Sequence, residues 1–140
     1  MSTTITQKSP SRLRTVVSWI FQVLGGLMFI SIGIGRVSGT GDSVDTFEQV
    51  GVGQWFRFLV GSLEILGGMG LLIPLFAGLA AVCLTALMVG AMAIDLFVID
   101  GGSILAPVMF AAVAVVVAVL RHRSITAPFA YARRRLSRAK

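Results

Sequence analysis

One carboxylate, Glu64, lies near the middle of a long apolar stretch, and it is the side chain of this sequence best suited to chemistry. An ionised carboxylate in such a setting has almost no water to solvate it, so it must be neutral, paired or turned toward a polar cavity. Because such residues are costly to retain, they mark sites of proton transfer, ligand binding or ion pairing. Glu64 is therefore the first candidate for a functional group.

Other polar residues accompany Glu64 at helical spacing. Residues three and four apart share one face of a helix, so Arg57 and Glu64 form a stripe with the glycines near them. A second stripe, in the preceding apolar stretch, runs from Gln22 to Arg36, and Asp95 lies in the stretch that follows. Small and polar residues on one face are typical of membrane helices that approach closely and hide polar groups from lipid.

Two interpretations of these residues stay open. In the first, a polar cavity between the first three apolar stretches opens toward the outer side of a membrane. Glu64 then lies at its floor, about 10 Å deeper than Arg57, and accepts a proton or binds a small ligand. In the second, Glu64 pairs with Arg36 or Arg57 and only fixes the packing of the helices.

Composition indicates whether the protein folds in water or in a membrane. Of the 140 residues, 56% are hydrophobic and 13% are charged, whereas a soluble domain has about 45–50% apolar and about 25% charged residues. The net charge of +6 would suit nucleic acid, but the basic residues cluster at the two ends of the chain. The expected partner is therefore the anionic leaflet of a membrane and not nucleic acid. We expect an integral membrane protein.

Four apolar stretches are long enough to be membrane helices. They comprise residues 16–37, 55–73, 75–98 and 104–120. Each is near the length of about 20 residues that crosses a hydrocarbon core. The first stretch is longer than the apolar region of a signal peptide, and no A-x-A cleavage site follows it, so it is expected to be an uncleaved span. Pro74 predicts a tight hairpin between the second and third stretches, with a re-entrant pair as the alternative.

Charge orients this predicted all-α four-helix bundle. Basic residues precede the first stretch and follow the fourth. Acidic residues lie in the connection between the first and second stretches and in that between the third and fourth, which are on the opposite side of the membrane from the two termini. The positive-inside rule then makes both termini cytoplasmic. The predicted segments are a basic N-terminus (1–15), a four-span membrane domain (16–120) and a basic tail (121–140). The tail residues expected at the lipid interface are Arg121, Arg123, Arg133, Arg134 and Arg135.

The sequence contains no motif for a metal or an intrinsic cofactor. Cys83 is the only cysteine and His122 the only histidine, which excludes an intramolecular disulfide, a cysteine metal cluster and bis-histidine haem ligation. Cys83 is expected to be a buried packing residue. The paired glycines within the apolar stretches lack the strand–loop–helix setting of a nucleotide site and favour close helix contact.

Three segments carry a family pattern. They are the glycine-rich residues 24–29 that lead to Arg36, residues 61–72 around Glu64, and the Ala- and Met-rich residues 91–95. Together they resemble the DoxX-like family of small bacterial membrane proteins. The resemblance implies a four-helix bundle in the bacterial inner membrane with both termini inside.

The resemblance also implies a class of function. Related proteins have been linked to membrane oxidoreductase assemblies, including quinone-linked thiosulfate oxidation and thiol or oxidative-stress complexes. The chain would then be a membrane subunit or organiser of a redox complex, with oxidoreductase partners and a bound quinone near Glu64. Asp95 departs from the pattern, because a histidine often lies in this region of the family. A carboxylate cannot replace histidine as a soft metal or haem ligand.

Two other functions stay open. A small proton-coupled transporter would use Glu64 as its proton carrier, and with four helices it would need to work as an oligomer. A structural membrane scaffold would need no ligand. The interpretation as a subunit of a redox complex likewise implies a homo- or hetero-oligomer. The chain is not expected to be catalytic alone.

Overall fold

The regular structure of the described chain is entirely helical. The computed structural model describes residues 12–99 and 103–122, together with Tyr131, Arg133, Arg134 and Ser137. The helices are α1 (Arg12–Ser38), α2 (Ser43–Val50), α3 (Gln54–Leu72), α4 (Ala77–Phe97) and α5 (Leu105–Leu120). The predicted all-α class is confirmed.

Three helices are long and apolar enough to cross a membrane. They are Thr15–Ser38, Gln54–Leu72 and Ala77–Phe97. These segments correspond to the first three predicted spans and identify a helical membrane protein. The fourth predicted span is the apolar helix α5, whose 16 residues fall short of the roughly 20 that a perpendicular crossing needs.

The four apolar helices contact one another in a ring. α1 packs on α3, α3 on α4, α4 on α5, and α5 returns to α1. Their shared core contains Phe29, Leu71, Leu84, Met88 and Ala114, which are all buried. Many other large apolar side chains of these helices face outward, as suits a protein surrounded by hydrocarbon.

The helices α1 and α3 approach closely along a glycine seam, which consists of Gly26 and Gly33 on α1 and Gly61 and Gly68 on α3. A Cβ atom at Gly33 would lie 2.6 Å from the carbonyl oxygen of Gly61, and one at Gly68 would lie 2.7 Å from that of Gly26. Any larger residue would therefore push the two backbones apart. Since Gly26 faces Gly68 and Gly33 faces Gly61, the two helices run antiparallel and their predicted stripes face each other.

A tight turn follows α3, as Pro74 predicts. The amide of Ile73 donates to the carbonyl of Gly70, and the amides of Phe76 and Ala77 both donate to the carbonyl of Ile73. These hydrogen bonds complete the turn before α4 begins at Ala77. The hairpin interpretation of the second and third stretches therefore agrees with the described backbone.

The helix α2 lies in the connection between α1 and α3. Its Phe47 is buried, and the ring of Phe47 meets that of Phe56 edge-on with centroids 5.8 Å apart. Asp45 and Glu48 on the same helix are exposed. The helix is thus amphipathic, with its apolar face held against α3.

Candidate functional site

Glu64 is fully buried and is paired with Arg36. Its Oε1 accepts a hydrogen bond from Nη1 of Arg36, which lies near the C-terminal end of α1. This is the single ion pair within the described part of the chain. The second oxygen, Oε2, is inaccessible and has no hydrogen-bond partner among the described residues. Such a carboxylate would be very costly without its arginine.

Arg57 does not bond Glu64. It is buried, and its Nε donates to Oε1 of Gln54 at 2.8 Å. Its Nη1 donates to the backbone carbonyls of Arg36 and Val37. The last carbonyls of a helix have no partner within the helix and form the negative end of its dipole. Arg57 on α3 therefore caps the C-terminus of α1.

We expect Arg57→Met to lower the free energy of unfolding by about 2 kcal/mol, because it removes charge-assisted hydrogen bonds to the last carbonyls of α1. Equilibrium unfolding in mixed detergent micelles measures the change. Arg133→Met is the matched control, since Arg133 is exposed in the tail. Equal stability of the two variants would contradict the capping role of Arg57.

Arg36 also lines a cavity of about 420 Å³. The cavity lies between the end of α1, the helix α2 and the facing parts of α3, α4 and α5, and its walls are mainly apolar. Its charged lining residues are Arg36, Asp42 and Asp95. The volume falls in the range of about 300–1,000 Å³ that is usual for small-molecule sites.

The position of the cavity differs in part from the predicted one. It lies toward the Arg36 end of the bundle, as expected, but α2 and α5 complete its walls along with the three predicted helices. Glu64 is not among its lining residues. Glu64 bonds Arg36, which does line the cavity, so the carboxylate is linked to the cavity by that arginine.

Arg36 and Asp95 give the cavity hydrogen-bonding groups of opposite kinds. A guanidinium carries five N–H donors, and within the described part of the chain only Glu64 accepts from that of Arg36. The Arg36 side chain is 25% exposed, and Arg36 is one of the residues that line the cavity. Asp95 is half-buried and lies within the electrostatic reach of Arg36 without forming an ion pair with it.

Gln22 belongs to a separate polar cluster. It is buried with Ser18 one turn earlier on α1, and Nε of Arg121 donates to Oγ of Ser18 at 2.9 Å. The hydrogen-bond partners of Gln22 require its amide oxygen to face Ser18 and Arg121. In this orientation the oxygen accepts hydrogen bonds from Oγ of Ser18 and from the Arg121 guanidinium. The guanidinium also lies 5.8 Å from the ring centroid of Trp19. This cluster ties the end of α5 to α1.

The remaining candidates are arginines of the basic tail. Arg133 and Arg134 are exposed, whereas Arg123 and Arg135 lie outside the described residues, as do most of the segments 1–15 and 121–140. Among the described residues, no group of three or more metal-ligating side chains comes together. The prediction that Cys83 is buried is wrong, since it is exposed in an apolar groove between α3 and α4.

The family follows from comparison with known proteins. The model of the DoxX-like family matches residues 20–117, which is more than half of the chain. The chain belongs to the DoxX-like family. No curated protein and no solved structure matches it. In this DoxX-like protein, the matched region contains the glycine seam, the Arg36–Glu64 pair and every residue that lines the cavity.

Proposed function

We propose that this DoxX-like protein is a membrane subunit of a redox complex and that it holds a quinone-type ligand in the cavity beside Arg36. The observation that carries the proposal is a mainly apolar cavity of about 420 Å³ with a guanidinium in its lining. A quinone head group is a flat, mainly apolar ring that bears carbonyl acceptors. Apolar walls suit the ring, and the donors of Arg36 suit a carbonyl.

The residues of the cavity have distinct parts in this proposal. Arg36 donates to a carbonyl of the ligand, and Glu64 holds Arg36 in place from the buried side. Phe47 of α2 and Val60 of α3 supply apolar surface for the ring. A bound quinone would supply the electron-accepting chemistry, and partner oxidoreductase subunits would exchange electrons with it.

The proposal includes a four-helix bundle in the bacterial inner membrane, formed by α1, α3, α4 and α5. The ring of helix contacts supports the bundle, and local thinning of the bilayer accommodates the shorter α5. The segregation of basic residues to both ends supports cytoplasmic termini. Residues 16–120 are then the membrane domain, and residues 1–15 and 121–140 lie against the anionic leaflet.

Extraction of the protein from its own membrane in mild detergent tests the proposal. We expect mass spectrometry to find stoichiometric quinone and oxidoreductase subunits with the wild-type chain. Arg36→Lys should lower the quinone content by about tenfold, because lysine retains a charge for Glu64 but lacks the guanidinium fork.

Arg133→Lys is the control for this substitution, because it makes the same change on an exposed tail residue. It should retain the quinone content of the wild type. A homo-oligomer that carries only bulk phospholipid would contradict the redox proposal and favour transport.

A further inference from the structure

We infer that Asp95 selects the ligand of this cavity and favours a head group that carries hydroxyl hydrogens over one that carries only carbonyl oxygens. The corresponding chemical class is the amphipathic hydroxy-aromatic compound, of which a quinol is the reduced counterpart of a quinone. The inference rests on the proposed function, since it concerns the same cavity, but it names which form of the ligand binds more tightly.

Arg36 and Asp95, two charged residues of the cavity lining, form hydrogen bonds of opposite direction. Arg36 can only donate hydrogen bonds, and an ionised Asp95 can only accept them. Arg36 is already engaged by Oε1 of Glu64. Asp95 lies within α4, a helix of spanning length, and has no hydrogen-bond donor among the described residues. Its oxygens therefore need donors from a bound molecule or from water.

The other polar residues of the lining donate no hydrogen bond to Asp95 among the described contacts. Ser103 is exposed and does not bond it. The hydroxyl of Ser43 donates to the carbonyl of Thr40 at 2.7 Å, and that of Thr46 donates to the carbonyl of Asp42 at 2.7 Å. The carboxylate of Asp42 is exposed, so water solvates it whatever the cavity holds. Asp95 is thus the lining carboxylate whose solvation depends most on the occupant.

The two redox forms of one ligand differ in what they offer Asp95. A quinone has only acceptors, so it satisfies Arg36 but leaves the carboxylate without a donor after displacing water. Each hydroxyl of a quinol both donates and accepts, so the same head group satisfies Arg36 and Asp95. A charged acceptor that loses its water and gains no donor costs more than the missing hydrogen bond alone.

Binding of a matched pair of ligands tests the inference. A short-chain benzoquinone and its benzoquinol are titrated separately, without oxygen, into the full-length protein in nanodiscs. We expect the wild type to bind the quinol at least about tenfold more tightly, which corresponds to one charge-assisted hydrogen bond. Asp95→Asn should reduce the preference to within about threefold, because an amide can donate to a quinone carbonyl.

Two further variants complete the test. Asp45→Asn makes the same change on an exposed residue that does not line the cavity, and it should leave the preference unchanged. Asp95→Glu keeps a carboxylate and should keep the preference. Equal affinity of the wild type for both forms would overturn the inference and leave the proposed function standing. Binding of neither form would contradict the proposed function itself.

Discussion

Replacing Arg36 with methionine lowers the free energy of unfolding by about 3–5 kcal/mol, the usual effect of removing one partner of a buried ion pair. The reason is the setting of Glu64, which is fully buried, bonds Arg36 through Oε1 and has no described partner for Oε2. Without the guanidinium, the carboxylate must lose its charge or remain uncompensated. Equilibrium unfolding in micelles of mixed detergents measures the loss.

The double variant Arg36→Met, Glu64→Leu tests whether the stability loss of Arg36→Met comes from the broken ion pair or from lost packing. We expect it to recover most of the lost stability, because an apolar pair of similar volume replaces both charges. A double variant as unstable as Arg36→Met alone would contradict the account of Glu64 as the buried partner. The stable double variant should nevertheless fail to retain quinone, since the cavity has lost its donor.

Replacing Gly33 with valine lowers the free energy of unfolding by about 3 kcal/mol, at the upper end of the usual cost of overpacking. A Cβ at this position would lie 2.6 Å from the carbonyl oxygen of Gly61 and 2.7 Å from a side-chain atom of Ile65. The obstacle is partly backbone, which cannot rotate away, so α1 and α3 must separate. The separation would also displace Arg36 from Glu64.

Gly90→Val is the matched control for the seam. Gly90 lies within α4, and a Cβ placed there meets no atom within 4 Å. Because both changes place the same β-branched residue within a helix, their helix propensities cancel. We expect the Gly90 variant to remain within about 0.5 kcal/mol of wild type. Equal destabilisation of the two variants would show that the seam does not limit the approach of α1 and α3.

The helical stripes of the sequence predict much of the glycine seam, but they do not predict which arginine pairs with Glu64. Arg36 and Arg57 both lie toward the same end of the bundle, on one side of Glu64, so spacing alone allows either to pair with it. The antiparallel register, in which Gly33 meets Gly61, decides the outcome. It places Arg36 level with Phe58, and the Arg36 side chain, which tilts toward the N-terminus of α1, reaches Glu64. It leaves Arg57 level with the last carbonyls of α1. A register between two helices is a tertiary property.

Other features escape prediction for related reasons. The helix α2 has eight residues, fewer than the window of about 11–18 over which helical periodicity is measured. The contact of Gln22 with Arg121 depends on closure of the ring between α1 and α5, which no local pattern encodes. Apolar residues cover almost all faces of α4, so its sequence gives little indication that Cys83 faces outward.

The most direct test of the account is to locate the ligand. A photoreactive quinone analogue is bound to the wild-type protein in nanodiscs, irradiated, and its adducts are mapped by peptide mass spectrometry. We expect adducts on cavity residues of α2 and α4, such as Phe47 and Ala91, and their loss when unlabelled quinone competes. Adducts confined to the outward-facing groove around Cys83, or scattered over the lipid-facing surface without competition, would contradict it.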